Sequence, residues 1–308
     1  MGLGVGVGTG GLRFVERDRC ICGDPSRSTV WKQRFDEPDC AEYLDRFGYA
    51  VAWREHIGEE EFELVRCASC EMVYHRWILD EDSLGVFYST WIDDSQNESL
   101  SVELSLGPAA QFEAAGQMVK HALRLRSLLP DVEAFRVLDY GCGSGRFLQI
   151  ASAFGFSAVG LDLSTTRQDQ SERRGFTIAS SLSEIDDRDP GPFHAVTMFQ
   201  VLEHLADPAG VLTSLRERMA PDGVLVVEVP DCSGVDVAAD FESFRNVHPL
   251  EHINAFTPAT LKATCERAGF TWIKRPPAYV TTQVKKLPKT MISKFVSPPR
   301  TQSYFRKI

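Results

Sequence analysis

The stretch VLDYGCGSGRFL, Val137 to Leu148, joins an apolar run that ends in an acid, Asp139, to three alternate glycines and a helix-forming segment. Gly141, Gly143 and Gly145 permit positive φ and close approach of the backbone to a ligand, and the free N–H groups of a helix starting near Arg146 would face that ligand. A second apolar run, FSAVGLDLS, ends in Asp162. That acid lies about twenty residues past the first glycine, where a second-strand carboxylate meets ribose hydroxyls in nucleotide-binding folds. The dinucleotide fingerprint G-x-G-x-x-G is excluded, because Arg146 stands where its third glycine belongs.

Working away from the loop, AVTMFQVLEHLADP (Ala195–Pro208) and PDGVLVVEVPD (Pro221–Asp231) read as strand, helix start, turn and strand. Asp207 followed by Pro208 predicts an N-cap with proline at the first helical position. Val224–Val229 is a nearly continuous apolar run, as in a strand covered on both faces. In EHINAFTPATLKATCERAGF, Thr257 caps, Pro258 opens the helix and Gly269 closes it.

The ordered motifs resemble the class I S-adenosylmethionine (SAM) dependent methyltransferases, whose glycine loop has the form D-x-G-C-G-x-G, and the resemblance runs from Phe112 to Val284. It implies an α/β fold, a doubly wound Rossmann-like seven-stranded sheet whose last antiparallel strand falls within Thr271–Val284. It implies SAM as methyl donor, with Asp139, Gly141, Cys142, Gly143, Gly145, Phe199 and Gln200 around its amino-acid end and Asp162 on its ribose. Leu163 and the segment Ser180–Leu182, with Ser181 and Leu182, would flank adenine. Proton removal from the acceptor falls to His252, His248 or His204, since histidine titrates near neutrality. The plainer reading makes these histidines loop-capping groups, and Glu203 solvent-facing or structural.

Ahead of this region, Cys20 and Cys22 in RCICGD pair with Cys67 and Cys70 in LVRCASCEMVYHR. Two close thiol pairs in a reducing compartment suit a tetrahedral structural zinc, with packed free thiols as the alternative. Cys40 and His75 are spare donors. This front end resembles the small zinc-binding module that precedes the methyltransferase domain in bacterial sugar and natural-product methyltransferases. The expected organisation is a leader 1–18, a Cys-rich zinc module with connecting helices 19–108, a methyltransferase domain 109–284 and a basic tail 285–308.

The 308 residues are 43% hydrophobic and 25% charged, with net charge −10. The acidic balance weighs against a nucleic-acid partner, and so against RNA methylation. From Lys285 onward there are five Lys, two Arg and no acids. Such a tail is expected to be solvated, with weak membrane-surface contact as its alternative use. The start has no basic n-region followed by an apolar core, so a cytoplasmic location is expected. The expected function is methyl transfer to a small-molecule acceptor, a sugar, glycolipid or natural-product intermediate; the alternative from another class is a SAM-binding, non-catalytic interaction protein.

Overall fold

The computed structural model describes residues 12–47, 49, 51–91, 108–176, 178–189, 191–237, 243–278 and 300–308. The chain divides into two compact units, Met1–Asp93 with Cys232–Phe256, and Asp94–Asp231 with Thr257–Ile308.

In the first unit, β1 (Phe14–Glu16) pairs antiparallel with β5 (Trp77–Leu79). β2 (Arg27–Arg34), β3 (Glu61–Cys67), β4 (Val73–His75) and β11 (Asn254–Ala255) form an antiparallel sheet in the order β11-β4-β3-β2. Phe35, Phe62, Leu64, Phe87 and Trp91 build its core together with Phe244, Val247 and Leu250 of the second segment. Polar ties fix that segment: Arg17, buried and over the Tyr74 ring, donates to the Ile253 carbonyl and to Asn254 Oδ1. Where the segment leaves and rejoins, the Cys232 amide donates to the Phe256 carbonyl at 2.9 Å.

Two sequence boundaries shift accordingly. Residues 12–18 are not a loose leader, since β1 is paired and Arg17 is buried. Residues 232–256, expected within 109–284, pack with the N-terminal unit because their apolar side chains complete its core.

After α1 (Pro38–Phe47), α2 (Trp53–Ile57) and α3 (Glu81–Val86) of the first unit, the second unit opens with α4 (Pro108–Leu128) and holds a seven-stranded mixed sheet. Its strands are β6 (Arg136–Tyr140), β7 (Ser157–Leu161), β8 (Ile178–Ala179), β9 (Phe193–Phe199), β10 (Met219–Glu228), β12 (Phe270–Ile273) and β13 (Gln302–Lys307), in the order β12-β13-β10-β9-β6-β7-β8. From β8 to β10 neighbours run parallel, joined by α5 (Arg146–Ala153), α6 (Thr165–Glu172), α7 (Leu182–Arg188) and α8 (Pro208–Glu217). Val224–Val227 are fully buried, as a central strand covered on both faces requires. The last helix, Pro258–Arg267, begins at Thr257 with a capping box and ends before Gly269 at φ 84°.

The antiparallel strand is β13, paired with both β10 and β12, and not a strand within Thr271–Val284. Tyr304 and Phe305 are fully buried in it, so β13 belongs to the sheet and its core and not to a solvated tail. The rest of the expected tail, and its apolar residues Met291, Ile292, Phe295 and Val296, lies outside the described residues. No described helix is long and apolar enough to cross a membrane.

Candidate functional site

The glycine loop leaves β6 at the carboxyl edge of the parallel strands, where α/β sheets bind ligands. All three glycines take positive φ, at 76°, 53° and 77°. The Gly141 and Cys142 amides both donate to the Leu161 carbonyl, at 2.7 and 2.9 Å, which pins the loop to β7. Asp162, nearly buried just past β7, accepts from the Gly143 amide at 2.8 Å through Oδ2 and from the Ser164 amide at 3.0 Å through Oδ1.

The glycines differ in what surrounds them. A Cβ on Gly141 would lie 2.3 Å from Val201 Cγ2, and one on Gly145 would lie 2.8 Å from Ser171 Oγ. A Cβ on Gly143 would meet nothing within 4 Å, so the loop is open on that side. The neighbouring wall continues with Leu163, a large apolar side chain 64% exposed, and with Ser181 and Leu182 at the start of α7. The Asp162 amide donates to the Ala179 carbonyl, which brings these two strand ends side by side.

Asp139 points inward. Its carboxylate accepts from Thr197 Oγ1 at 2.6 Å, and burial pushes its pKa up to about 7 against the pull of that bond. Cys142 contributes backbone only, since its thiol packs against Leu148 and Ile178. Gln200 takes φ 56° and its amide donates to the Glu228 carbonyl, while Phe199 stands edge-on to Phe147.

The sequence reading missed the loop's supports. Ser171, fully buried, donates to the Gly143 carbonyl at 3.0 Å, Arg174 donates to the Ser144 carbonyl, and Gln168 donates to the Asp162 carbonyl at 2.6 Å. They lie in or just after α6, TTRQDQSE, whose polar composition marks no functional face.

The candidate histidines are divided between the two units of the chain. His204 follows β9 in the second unit, beside Glu203 at 3.9 Å. Glu203 is 1% exposed and not solvent-facing; burial first, then the charge of Glu228, lifts its carboxyl to about 8 against a backbone hydrogen bond. His248 and His252 belong to the first unit, with ring centroids 5.7 Å apart. His248 Nδ1 donates to the Pro249 carbonyl, His252 Nδ1 faces the Asn246 carbonyl, and desolvation lowers each to about 4.

The four cysteines converge, with all Sγ atoms within 4.8 Å of one another. Cys20 and Cys70 are 3.6 Å apart, Cys22 and Cys67 3.5 Å. Gly23, at φ 95°, turns its amide back to the Cys20 carbonyl, which lets the short C-x-C bring both thiols to one point. Cys40 sits in the apolar core and His75 Nε2 faces the Val247 carbonyl, so neither spare donor joins the quartet.

A family profile described as "Methyltransferase domain" matches residues 112–275, more than half of the chain. The chain belongs to this methyltransferase domain family. Curated relatives named "Ubiquinone biosynthesis O-methyltransferase" are 32% identical over 97 residues in Methylococcus capsulatus, covering 29% of this chain and 41% of that protein. The relative of that name from Caulobacter sp. is 29% identical over 102 residues, covering 31% and 40%. This chain thus spans about two fifths of the length of the curated relatives it matches. Among solved structures, an S-adenosylmethionine dependent methyltransferase from Mesorhizobium loti is 19% identical with TM-score 0.42, covering 59% of this chain and 95% of its own. Magnesium protoporphyrin IX methyltransferase from Synechocystis, with bound SAH, is 12% identical with TM-score 0.47, covering 74% and 100%.

The methyltransferase site fits SAM on its own geometry. The open face at Gly143, the fixed Asp162 carboxylate and the exposed Leu163 supply a backbone cradle, a hydroxyl acceptor and an apolar surface.

Proposed function

We propose that this chain transfers a methyl group from SAM to a hydroxyl of a small-molecule acceptor, a sugar, glycolipid or natural-product intermediate. The observation that carries the reading is the glycine loop held open at Gly143 and pinned by Asp162. The relatives named as O-methyltransferases favour oxygen as the accepting atom. SAM supplies an electrophilic methyl already activated by its sulfonium charge. The protein's work is alignment, which converts an encounter into an intramolecular reaction. Gly141, Gly143 and Gly145 shape the cradle, Asp162 receives the ribose hydroxyls, Leu163 and Leu182 flank the base, and Asp139, Phe199 and Gln200 back the amino-acid end. His204, His248 and His252 are the candidate proton acceptors. Desolvation lowers His248 and His252 to about 4, so both are neutral at pH 7 but are weaker bases than an exposed histidine.

In the first unit Cys20, Cys22, Cys67 and Cys70 would hold a structural zinc. A tetrahedron of thiolates at about 2.3 Å from the metal has edges of about 3.8 Å, close to the 3.5 and 3.6 Å between paired sulfurs. Four thiolates leave no open position, so the metal would fold the unit and take no part in transfer. A cytoplasmic setting would keep these thiols reduced.

Calorimetry with SAM and S-adenosylhomocysteine is expected to show binding that Asp162→Ala and Gly143→Val abolish; absence of binding to the unaltered protein overturns the reading. A mass-shift screen against nucleotide sugars, glycolipids and phenols then identifies the acceptor. Metal analysis is expected to give one zinc per chain, and none would return the four cysteines to packing.

A further inference from the structure

Within the methyltransferase unit, a chain of polar side chains is built into the carboxyl edge of the sheet and converges on Glu228. Glu228 is the last residue of β10, paired with Phe199 on one side and with Gln302 of β13 on the other. Its Oε2 lies 3.4 Å from His121 Nε2 and accepts from Gln302 Nε2. His121, 1% exposed on α4, has its ring 4.7 Å from that of Phe199 and its Nδ1 2.6 Å from the Tyr304 hydroxyl.

The contacts in this chain run in two branches. Arg124 Nη1 donates to the Tyr304 oxygen at 3.5 Å, and that oxygen lies 2.6 Å from His121 Nδ1. His121 Nε2 lies 3.4 Å from Glu228 Oε2 and 3.3 Å from Gln302 Nε2. Arg275 Nη1 donates to Gln302 Oε1 at 2.7 Å, which orients the Gln302 amide so that its NH2 faces the same carboxylate. Two chains of polar contacts, Arg124 to Tyr304 to His121 and Arg275 to Gln302, therefore end on Glu228 Oε2. Burial acts to raise the Glu228 carboxyl, and the bonds from His121 and Gln302 outweigh it, leaving it below the ordinary glutamate value.

A network that served only to staple β13 to β10 would be complete with both carboxylate oxygens engaged. Here the Glu228 side chain is 32% exposed, and none of its described hydrogen bonds uses Oε1. The group sits next to Phe199 and Gln200, at the edge of the sheet that carries the glycine loop.

We propose that Glu228 is an acceptor-binding residue, its Oε1 receiving a hydrogen bond from a hydroxyl of the methyl acceptor, with His121 and Gln302 as positioning residues that fix the carboxylate through Oε2. The assignment rests on the methyltransferase reading and deepens it, because it requires an acceptor that donates a hydrogen bond beside the methylated atom. Glu203, His121, Tyr304, Arg124 and Arg275 are the titratable or charged groups acting on Glu228.

The test uses the full chain, S-adenosylhomocysteine calorimetry and the phenol and sugar panel. Glu228→Gln is expected to keep S-adenosylhomocysteine affinity within threefold and to raise the KM of the methylated acceptor at least tenfold, with Glu228→Asp partly restoring it. His121→Asn, by removing a donor to the carboxylate, is expected to move the acid limb of the kcat/KM profile to higher pH; a staple alone would lower activity at all pH values without moving that limb. Unchanged acceptor kinetics in Glu228→Gln overturn the assignment and leave the methyltransferase reading intact. Loss of S-adenosylhomocysteine binding in Glu228→Gln also overturns it. A native protein that methylates nothing in the panel fails both. Should Glu228→Gln not fold, Glu228→Asp and His121→Asn carry the same comparison.

Discussion

Gly141 and Gly143 have the same backbone handedness and opposite surroundings, so alanine separates their roles. Each substitution meets the left-handed penalty of about 1–2 kcal/mol. At Gly141 the new methyl also strikes Val201, so Gly141→Ala is expected to lower the melting temperature sharply. Gly143→Ala has room, and is expected to melt within a few degrees of the native protein yet bind S-adenosylhomocysteine at least tenfold more weakly, by calorimetry. Asp139 offers a pH test. Its folded pKa of about 7 lies above the usual 3.8, so its contribution to stability is full below about pH 4 and is lost as pH rises through 7. Asp139→Asn keeps an acceptor for Thr197 without the buried charge. Its melting temperature should exceed that of the native protein at pH 8, with the gap closing at pH 4. These glycines and Asp162 were readable in the sequence because loop geometry demands glycine and the acid follows at a fixed offset. Ser171 and His121 were not, since nothing in a helix sequence reveals which distant backbone or side chain a polar residue will meet.

Among strands and loops, β6, β7, β9 and β10 were legible as short apolar runs followed by turn or capping residues. The strand β13 was not, because QSYFRK follows a stretch rich in Lys, Ser and Pro and alternates weakly; its burial comes from insertion between β10 and β12. Ending the chain at residue 299 is expected to unfold the methyltransferase unit, as Tyr304 and Phe305 leave the core and β10 gains an unpaired edge. Loss of the cooperative thermal transition by circular dichroism is the measurement. The four cysteines that motif spacing grouped do converge, the C-x-C pair through the Gly23 turn.

The two-unit division was only partly legible, since a segment between two methyltransferase motifs reads as part of that domain until its packing is known. The amide-to-carbonyl bond between Cys232 and Phe256 places the two crossing points side by side. Replacing 232–256 in a 108–308 fragment by two or three glycines should therefore give a soluble, cooperatively melting unit. The same fragment with 232–256 retained should bind a hydrophobic dye, because Phe244, Val247 and Leu250 have lost their partners. The discontinuity also sets a timetable during synthesis. All four cysteines emerge before residue 71, so metal capture can precede everything else, but β4 must wait for β11 until the ribosome has passed Ala255. By then β6 to β10 have already been made. The first unit to be started is thus completed only after most of the second has been translated, and its half-built apolar face is the surface that a chaperone would meet.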